Sequence, residues 1–331
     1  MTGRATVVTG VGLAVTGLRT AADLLSTDPV EPGAGPSPDL TGRHMRHKDR
    51  ASRLALRAVE QALDDASLAA ESTGREHTTL ATVVSSNFGN LDSVCEFTDR
   101  IAEHSTAALS PLGLPHVSSN AIAGWIAIRH GLRGPNLTLC SGRTSGLDAL
   151  VWAATLIGAG RADAAVVVGV EPDTGPVRSL HGPGRRVLDG AAAVILESEA
   201  HAANRQAIVR ALIDGGCHSD SVDQVVAAIR TAARPPRLWL TPADVLPEFG
   251  SPIRVLDLTR RLGECSGALG VLQCVAAVAQ LDGGDRNPVY ATCSDPHGDE
   301  AVTLQLRAPH AAASVSAGSR VGNHELDLEE R

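Results

Sequence analysis

The stretch GPNLTLCSGRTSGLDAL holds the side chains best placed for chemistry in this chain. A strand-like run ends in Cys140, and the turn SGRT then leads into an apolar helical run from Ser145. A thiol near such a junction can be activated, because a helix N-terminus and its free amides favour thiolate. Set back on the strand, however, a free cysteine reads as a small buried hydrophobe, and that is the reading preferred for Cys140. Arg143 opens the helical run, where burial is expected. TRRLGECSGALG places Glu264 ahead of a second apolar helix in the same way. His130, in IRHGLRGP, ends a helical pattern, where a cation complements the dipole or caps a carbonyl. His116, in LSPLGLPHVSSN, has no evident metal or nucleophile partner and reads as loop surface or interface.

Other chemistries are poorly supported. The six cysteines at 95, 140, 217, 265, 274 and 293 form neither a CxxC nor a Cys/His ligand pattern, so reduced, mostly buried thiols in a cytosol are expected. GVGLAVTG lacks the third glycine of a dinucleotide loop and the acid about 20 residues on. The net charge of −8, with both signs interspersed and no basic stripe, argues against nucleic acid. In MTGRATVVTGVGLAV, Gly and Thr break the apolar run too often for a signal peptide, leaving a strand that enters a glycine turn. No apolar stretch reaches the roughly 18 residues that span a bilayer, so a soluble, cytoplasmic protein is expected.

The elements that must position these residues alternate. TVVT reads as a buried strand, and the Pro- and Gly-rich segment 27–41 as an exposed loop. DRASRLALRAVEQALDDA sets Leu54, Ala58, Val59, Ala62 and Leu63 on one helical stripe. TLATVVSSN, NLTLC and ADAAVVVGV read as strands, with helices from about Leu91, over IAGWIAIRHG and over SGLDALVWAATLIGAG. The last is apolar on nearly every face and is expected inside the protein. The later half repeats the theme with AAAVILE, QAIVRALIDGG, a helix around SVDQVVAAIRTAA, strands in RLWLT and IRVLDL, the buried helix GALGVLQCVAAVAQL, and strands near PVYAT and AVTLQL. With 331 residues, 43% of them hydrophobic but only 2% aromatic, the core must pack Ala, Val, Leu and Ile closely around Gly. The pattern predicts α/β halves duplicated in layers, divided as 1–178 and a shortened 179–308, with an aperiodic, disordered tail over 309–331.

Taken together, these segments resemble the β-ketoacyl synthase family of the thiolase fold. VVTGVG is similar to that family's opening strand, RASRLALRAVEQALDDA to its first long helix, and DGAAAVILESEAHAANR to the strand leading into its second half. IRHGLRGP is closer in wording to the chain-length factors of type II polyketide synthesis. The resemblance implies a thiolase-like fold with duplicated βαβ halves in an α/β/α/β/α arrangement. It also implies that an active member carries a nucleophilic cysteine in an ACxSG elbow and two histidines that polarise the thioester. Aligned on Ser145 and Gly146, Arg143 stands at the cysteine position. In TRRLGECSGALG, Glu264 stands at a histidine position and Thr259 at a lysine position. The other histidine segment has contracted to LWLTPADVLPEFG, and the mobile FGFGG loop has become CSDPHGDEA.

The resemblance therefore implies a non-elongating subunit without catalytic residues or a cofactor of its own. Its partner would be an active ketosynthase, which handles the phosphopantetheine of an acyl carrier protein. Leu91, Val94, Cys95 and Thr98 are the residues expected to line the acyl-chain tunnel and set product length, aromatic or polyene. An obligate interface of more than about 2,000 Å² is expected around NLTLC and IAGWIAIRHG. A stand-alone acyltransferase or decarboxylase using Cys140 or Glu264, and a homodimeric scaffold for acyl carrier protein, are the alternatives. Arg143 and Glu264 are expected to meet as a buried ion pair that plugs the obsolete pocket.

Overall fold

The computed structural model describes residues 5–30, 35–68, 79–232, 234–241, 253–295 and 300–309. The expected tail therefore lies almost wholly outside the described residues, as do 242–250 of the contracted segment and 296–299 of CSDPHGDEA. In chain order the elements are β1 (Thr6–Val15), α1 (Arg50–Asp65), β2 (Leu80–Ser85), α2 (Leu91–His104), α3 (Ala121–His130), β3 (Asn136–Leu139), α4 (Ser145–Gly158), β4 (Ala164–Glu171), α5 (Gly175–His181) and β5 (Gly190–Ser198). They continue as α6 (Glu199–Asn204), β6 (Ala211–Ser219), α7 (Val222–Thr231), β7 (Leu238–Leu240), β8 (Arg254–Leu256), α8 (Leu258–Leu262), α9 (Leu269–Asp282), β9 (Val289–Ser294) and β10 (Ala301–Arg307).

The strand order β3-β2-β4-β5-β1-β6-β10-β9-β7-β8 makes the duplication explicit. Reading outward from the centre, β1-β5-β4-β2-β3 on one side is answered by β6-β10-β9-β7-β8 on the other. The directions match as well. β1/β5 and β5/β4 are antiparallel while β4/β2 and β2/β3 are parallel, and the second half repeats this pairing for pairing. The symmetric division runs between β5 and β6, so the boundary expected at 178/179 falls one strand early. β1 also runs on to Val15, well past the TVVT segment read from sequence.

Both faces of the sheet are covered. In β5, Ala192, Val194 and Leu196 face α4 and α9, while Ala191, Ala193 and Ile195 face α1 and α3, the period-two alternation of a strand. On the second half, Val225, Val226 and Ile229 of α7 pack on Trp239 and Ala301. The layers thus run helix, strand, helix, strand, helix, with α4 and α9 in the middle. α1 buries Leu54, Ala58, Val59, Ala62 and Leu63 as its stripe requires, and Asp49 caps it by accepting the Ser52 N–H at 2.7 Å.

α9 is buried along nearly its whole length. α4 departs from expectation: it buries its first turns and Ala153 and Ile157, but Trp152 is 53% exposed. The two helices touch backbone to backbone, since a Cβ on Gly270 would stand 2.2 Å from the Leu147 nitrogen and one on Gly146 would stand 2.7 Å from the Gly270 nitrogen. Gly270→Ala is therefore expected to force the helices apart and cost about 3 kcal/mol, read as a lower midpoint in thermal or urea unfolding. A variant as stable as the parent would show that this crossing tolerates separation.

Candidate functional site

Because the halves are related, two equivalent helix starts converge at the middle of the fold. One is the 3₁₀ turn Gly142–Thr144 leading into α4, and the other is the 3₁₀ turn Ser266–Ala268 leading into α9. Arg143 and Glu264 project from these two approaches and meet. The Arg143 Nε donates to Glu264 Oε1 at 3.1 Å, its Nη2 donates to Oε2, and the Ser266 N–H adds a bond to Oε1 at 3.0 Å. The side chains keep only 21% and 13% of their exposure. Burial pushes the Glu264 carboxyl up, but the Arg143 guanidinium and the Ser266 amide outweigh it, leaving the carboxyl below its ordinary value. The expected pair is thus present as a two-pronged ion pair.

Beneath it lies a polar knot that sequence reasoning did not single out. The Asn87 amide donates to the Gly142 carbonyl at 2.9 Å and to Ser266 Oγ at 2.8 Å, and accepts the Gly142 N–H at 3.1 Å. One side chain therefore ties together both helix approaches. Ser85 donates to the Gly267 carbonyl at 2.6 Å and Ser145 to the Gly142 carbonyl at 2.6 Å. Glu171, the last residue of β4 and 2% exposed, accepts the N–H groups of Asn87 at 2.7 Å, Phe88 at 3.1 Å and Gly267 at 3.0 Å. Its burial outweighs these donors and pushes the carboxyl up to about 7. A glutamate closing the otherwise apolar VVVGVE strand was the available signal.

The remaining expected residues lie elsewhere. Thr259 turns away from the pair and closes the first turn of α8, its Oγ donating to Asp257 at 2.7 Å. It reaches the pair only as a neighbour of Glu264 on the wall of an open cavity that also carries Arg185, Arg186 and Arg260. On α2, Leu91 and Cys95 are half-buried and Val94 and Thr98 exposed, and α2 has no buried residue. These four share one helical face, but this chain alone does not enclose them.

Cys140 is exposed, against the expected burial, because it lies just beyond edge strand β3. Partial desolvation and the nearby Glu171 charge push its thiol up, away from the thiolate form. Of the six thiols, Cys265, Cys274 and Cys293 are buried, Cys95 is intermediate, and Cys217 is exposed like Cys140, fewer buried than expected. His116 has a partner after all: its Nδ1 lies 3.3 Å from Asp49 Oδ2 and its ring stacks on Trp125. His130 is the last residue of α3, as expected. Among the described residues no His/Cys/Asp/Glu group could hold a metal ion, and no helix is long and apolar enough to cross a membrane.

Residues 35–183 match the family model described as the β-ketoacyl synthase N-terminal domain. Over 138 residues the chain is 30% identical to 3-oxoacyl-[acyl-carrier-protein] synthase 2 of Vibrio harveyi, covering 42% of this chain and 33% of that protein. Over 249 residues it is 28% identical to nodulation protein E of Rhizobium leguminosarum bv. trifolii, covering 68% and 61%. The chain thus spans about a third of the length of the first of these relatives and about three-fifths of the second. Among solved structures, the ishigamide ketosynthase/chain length factor superposes with a TM-score of 0.70 at 21% identity, covering 92% of this chain and 99% of that one. A ketosynthase bound to hexaketide in complex with its type II acyl-carrier protein superposes with a TM-score of 0.72 at 15% identity, covering 93% and 100%.

Proposed function

We propose, for a chain whose residues 35–183 belong to the β-ketoacyl synthase family and whose fold is that family's thiolase-like fold, a non-elongating subunit of chain-length-factor type. It pairs with an active ketosynthase and shapes the space into which that partner's acyl chain grows. The observation that carries this reading is the Arg143–Glu264 ion pair. It fills the convergence of the two helix starts with mutually neutralised side chains at the positions where the resemblance implies a nucleophilic cysteine and a polarising histidine.

The unsatisfied surfaces support a partner. β3 ends the sheet and pairs only with β2, so its outer edge offers free backbone groups. Around it, Ile128 on α3 and Trp152 on α4 are 75% and 53% exposed, a concentration of large apolar side chains that suits an obligate interface. α2, amphipathic but with nothing buried, needs the partner to cover its apolar face. Acyl carrier protein would deliver substrate to the complex, and a polyene is the product class favoured. A free-standing acyltransferase is disfavoured, since Cys140 is held as thiol and Glu264 is occupied by Arg143.

Co-expression with a ketosynthase that retains its cysteine and histidines should give a stable 1:1 complex that makes product, while this chain alone transfers no acyl group from a thioester to a thiol trap. An exclusive homodimer, or acyl transfer by the single chain, would overturn the assignment. Within the complex, Val94→Phe or Thr98→Phe should shorten the product and leave turnover within about twofold, because bulk added to a tunnel wall spares the partner's chemistry. Mass spectrometry of the products reads this, and unchanged length from both variants would remove α2 as the gate.

A further inference from the structure

On the side of α2 opposite to Leu91, Val94, Cys95 and Thr98 lies a cavity of 640 Å³ that the proposed gate does not use. Its walls are the segment 46–49 leading into α1, the outer face of α2 with Glu96, Phe97 and Arg100, the turn around Gly113 and His116, and Trp125 of α3. The volume lies within the range of sites for small organic ligands, roughly 300–1,000 Å³. One wall is aromatic. The Trp125 and His116 rings stack at 5.4 Å between centroids and 30° between planes, and Phe97 packs so closely on the turn that a Cβ on Gly113 would stand 2.7 Å from it.

Arg46, Lys48 and Arg100 face Asp49, Asp92 and Glu96 at this cavity, so its charges balance in number but not in pairs. Glu96 is engaged by Arg100 at 2.6 Å. Asp49 is taken up by Ser52 and by His116, whose Nδ1 lies 3.3 Å away. Arg46 and Lys48 have no ion-pair partner among the described residues, and Asp92 is the cavity's remaining carboxylate. Lys48 lies with its Nζ 3.9 Å from the centre of the Trp125 ring, a substitute for an anionic partner that keeps the ammonium at the aromatic wall. Burial pushes this ammonium down and outweighs the Asp49 charge that raises it, so an arriving anion would relieve the desolvation cost that Asp49 offsets only in part. His47 between the two cations holds a left-handed backbone, φ 62°, a conformation that non-glycine residues keep chiefly where the surroundings impose it.

We infer that this cavity is a binding site for a planar organic anion, its ring against the Trp125, His116 and Phe97 wall and its acid group on Lys48 and Arg46. The site is separate from the ion pair and from the gate face of α2, and it stands or falls independently of the chain-length role.

Calorimetric titration of the purified full chain with 1-naphthoate and with the neutral 1-naphthamide tests it. Naphthoate should bind at one saturable site at least about tenfold more tightly than the amide, the margin that one charge-assisted contact supplies. Lys48→Gln should bring the two ligands to parity, and Lys48→Arg should keep the preference. Should the Lys48→Gln chain fail to fold, Arg46→Gln, at the more exposed cation, should still reduce the preference. No saturable naphthoate binding up to millimolar concentration, equal affinity for acid and amide, or a preference untouched by the lysine and arginine changes would each overturn the assignment.

Discussion

Arg143→Ala should destabilise the protein by about 3 kcal/mol at neutral pH, since removing one member of a largely buried pair strands the other. Glu264 would keep one strong donor, the Ser266 N–H at 3.0 Å, where it now has three. The residual exposure of the two side chains argues for the lower end of the range known for buried pairs, because water can reach part of the stranded carboxylate. The effect carries a pH signature. In the parent the Glu264 carboxyl lies below its ordinary value of 4.5, so the pair's contribution is present above that value and is lost as pH falls through the lowered one. The deficit of Arg143→Ala should therefore be largest near neutrality and shrink on acidification below about 4.5.

A double change, Arg143→Met with Glu264→Leu, removes both charges at similar volume and should recover much of the loss. Urea unfolding of the parent, single and double variants at pH 7 and pH 4 reads all of this. A deficit equal at both pH values, or a double variant as weak as the single one, would end the view of the pair as a structural plug. If Arg143 instead meets an acyl or malonyl carboxylate, Arg143→Ala would lower activity of the complex and leave the unfolding curve nearly unchanged.

How far the site was readable depended on which signals are local. The α1 stripe and the apolar helix α9 follow from periodicity, and the pairing of Arg143 with Glu264 follows from the resemblance, which implies that the two positions they occupy meet across the pocket. Glu171 carries only its place at the end of an apolar strand, and Asn87 carries no mark at all. Asn87 gains its role only because β2 delivers it between the Gly142 and Ser266 turns, more than 50 and nearly 180 residues away along the chain. Periodicity also misjudged α4. A helix apolar all round looks interior when a chain is read alone, yet Trp152 is 53% exposed, a large apolar side chain on the face that the proposed partner would cover. Cys140 is exposed and not buried for a related reason: strand periodicity does not tell an edge strand from a central one, and β3 is an edge. In sequence β5 resembles the start of a new repeat, which draws the expected boundary to 178/179, whereas its pairing with β1 and β4 makes it the end of the first half.

Glu171→Gln should remove a loss of stability that the parent suffers between about pH 4.5 and pH 8. The Glu171 carboxyl is raised from 4.5 to about 7 by burial, so the folded state binds its proton more tightly than the unfolded chain does. For a carboxyl shifted in that direction, the stabilisation is complete below the unfolded value and disappears as pH rises through the folded one. At 1.36 kcal/mol per unit, the parent should lose about 3 kcal/mol from this group across the window. Glu197, held down to about 2 with Arg205, His201 and Thr9 as its partners, acts in the opposite sense and only in acid below about 4.5, so the two effects do not overlap. Glutamine keeps the shape and the Oε1 that accepts from Asn87 and Gly267, but presents an amide to the Phe88 N–H where Oε2 now accepts. The variant should therefore be less stable than the parent at pH 5, and the gap should narrow or reverse by pH 8. Taking the difference between the two proteins at each pH cancels every contribution common to both. A difference that stays constant from pH 5 to pH 8 would show that Glu171 is ionised throughout, with its three backbone donors prevailing over its burial.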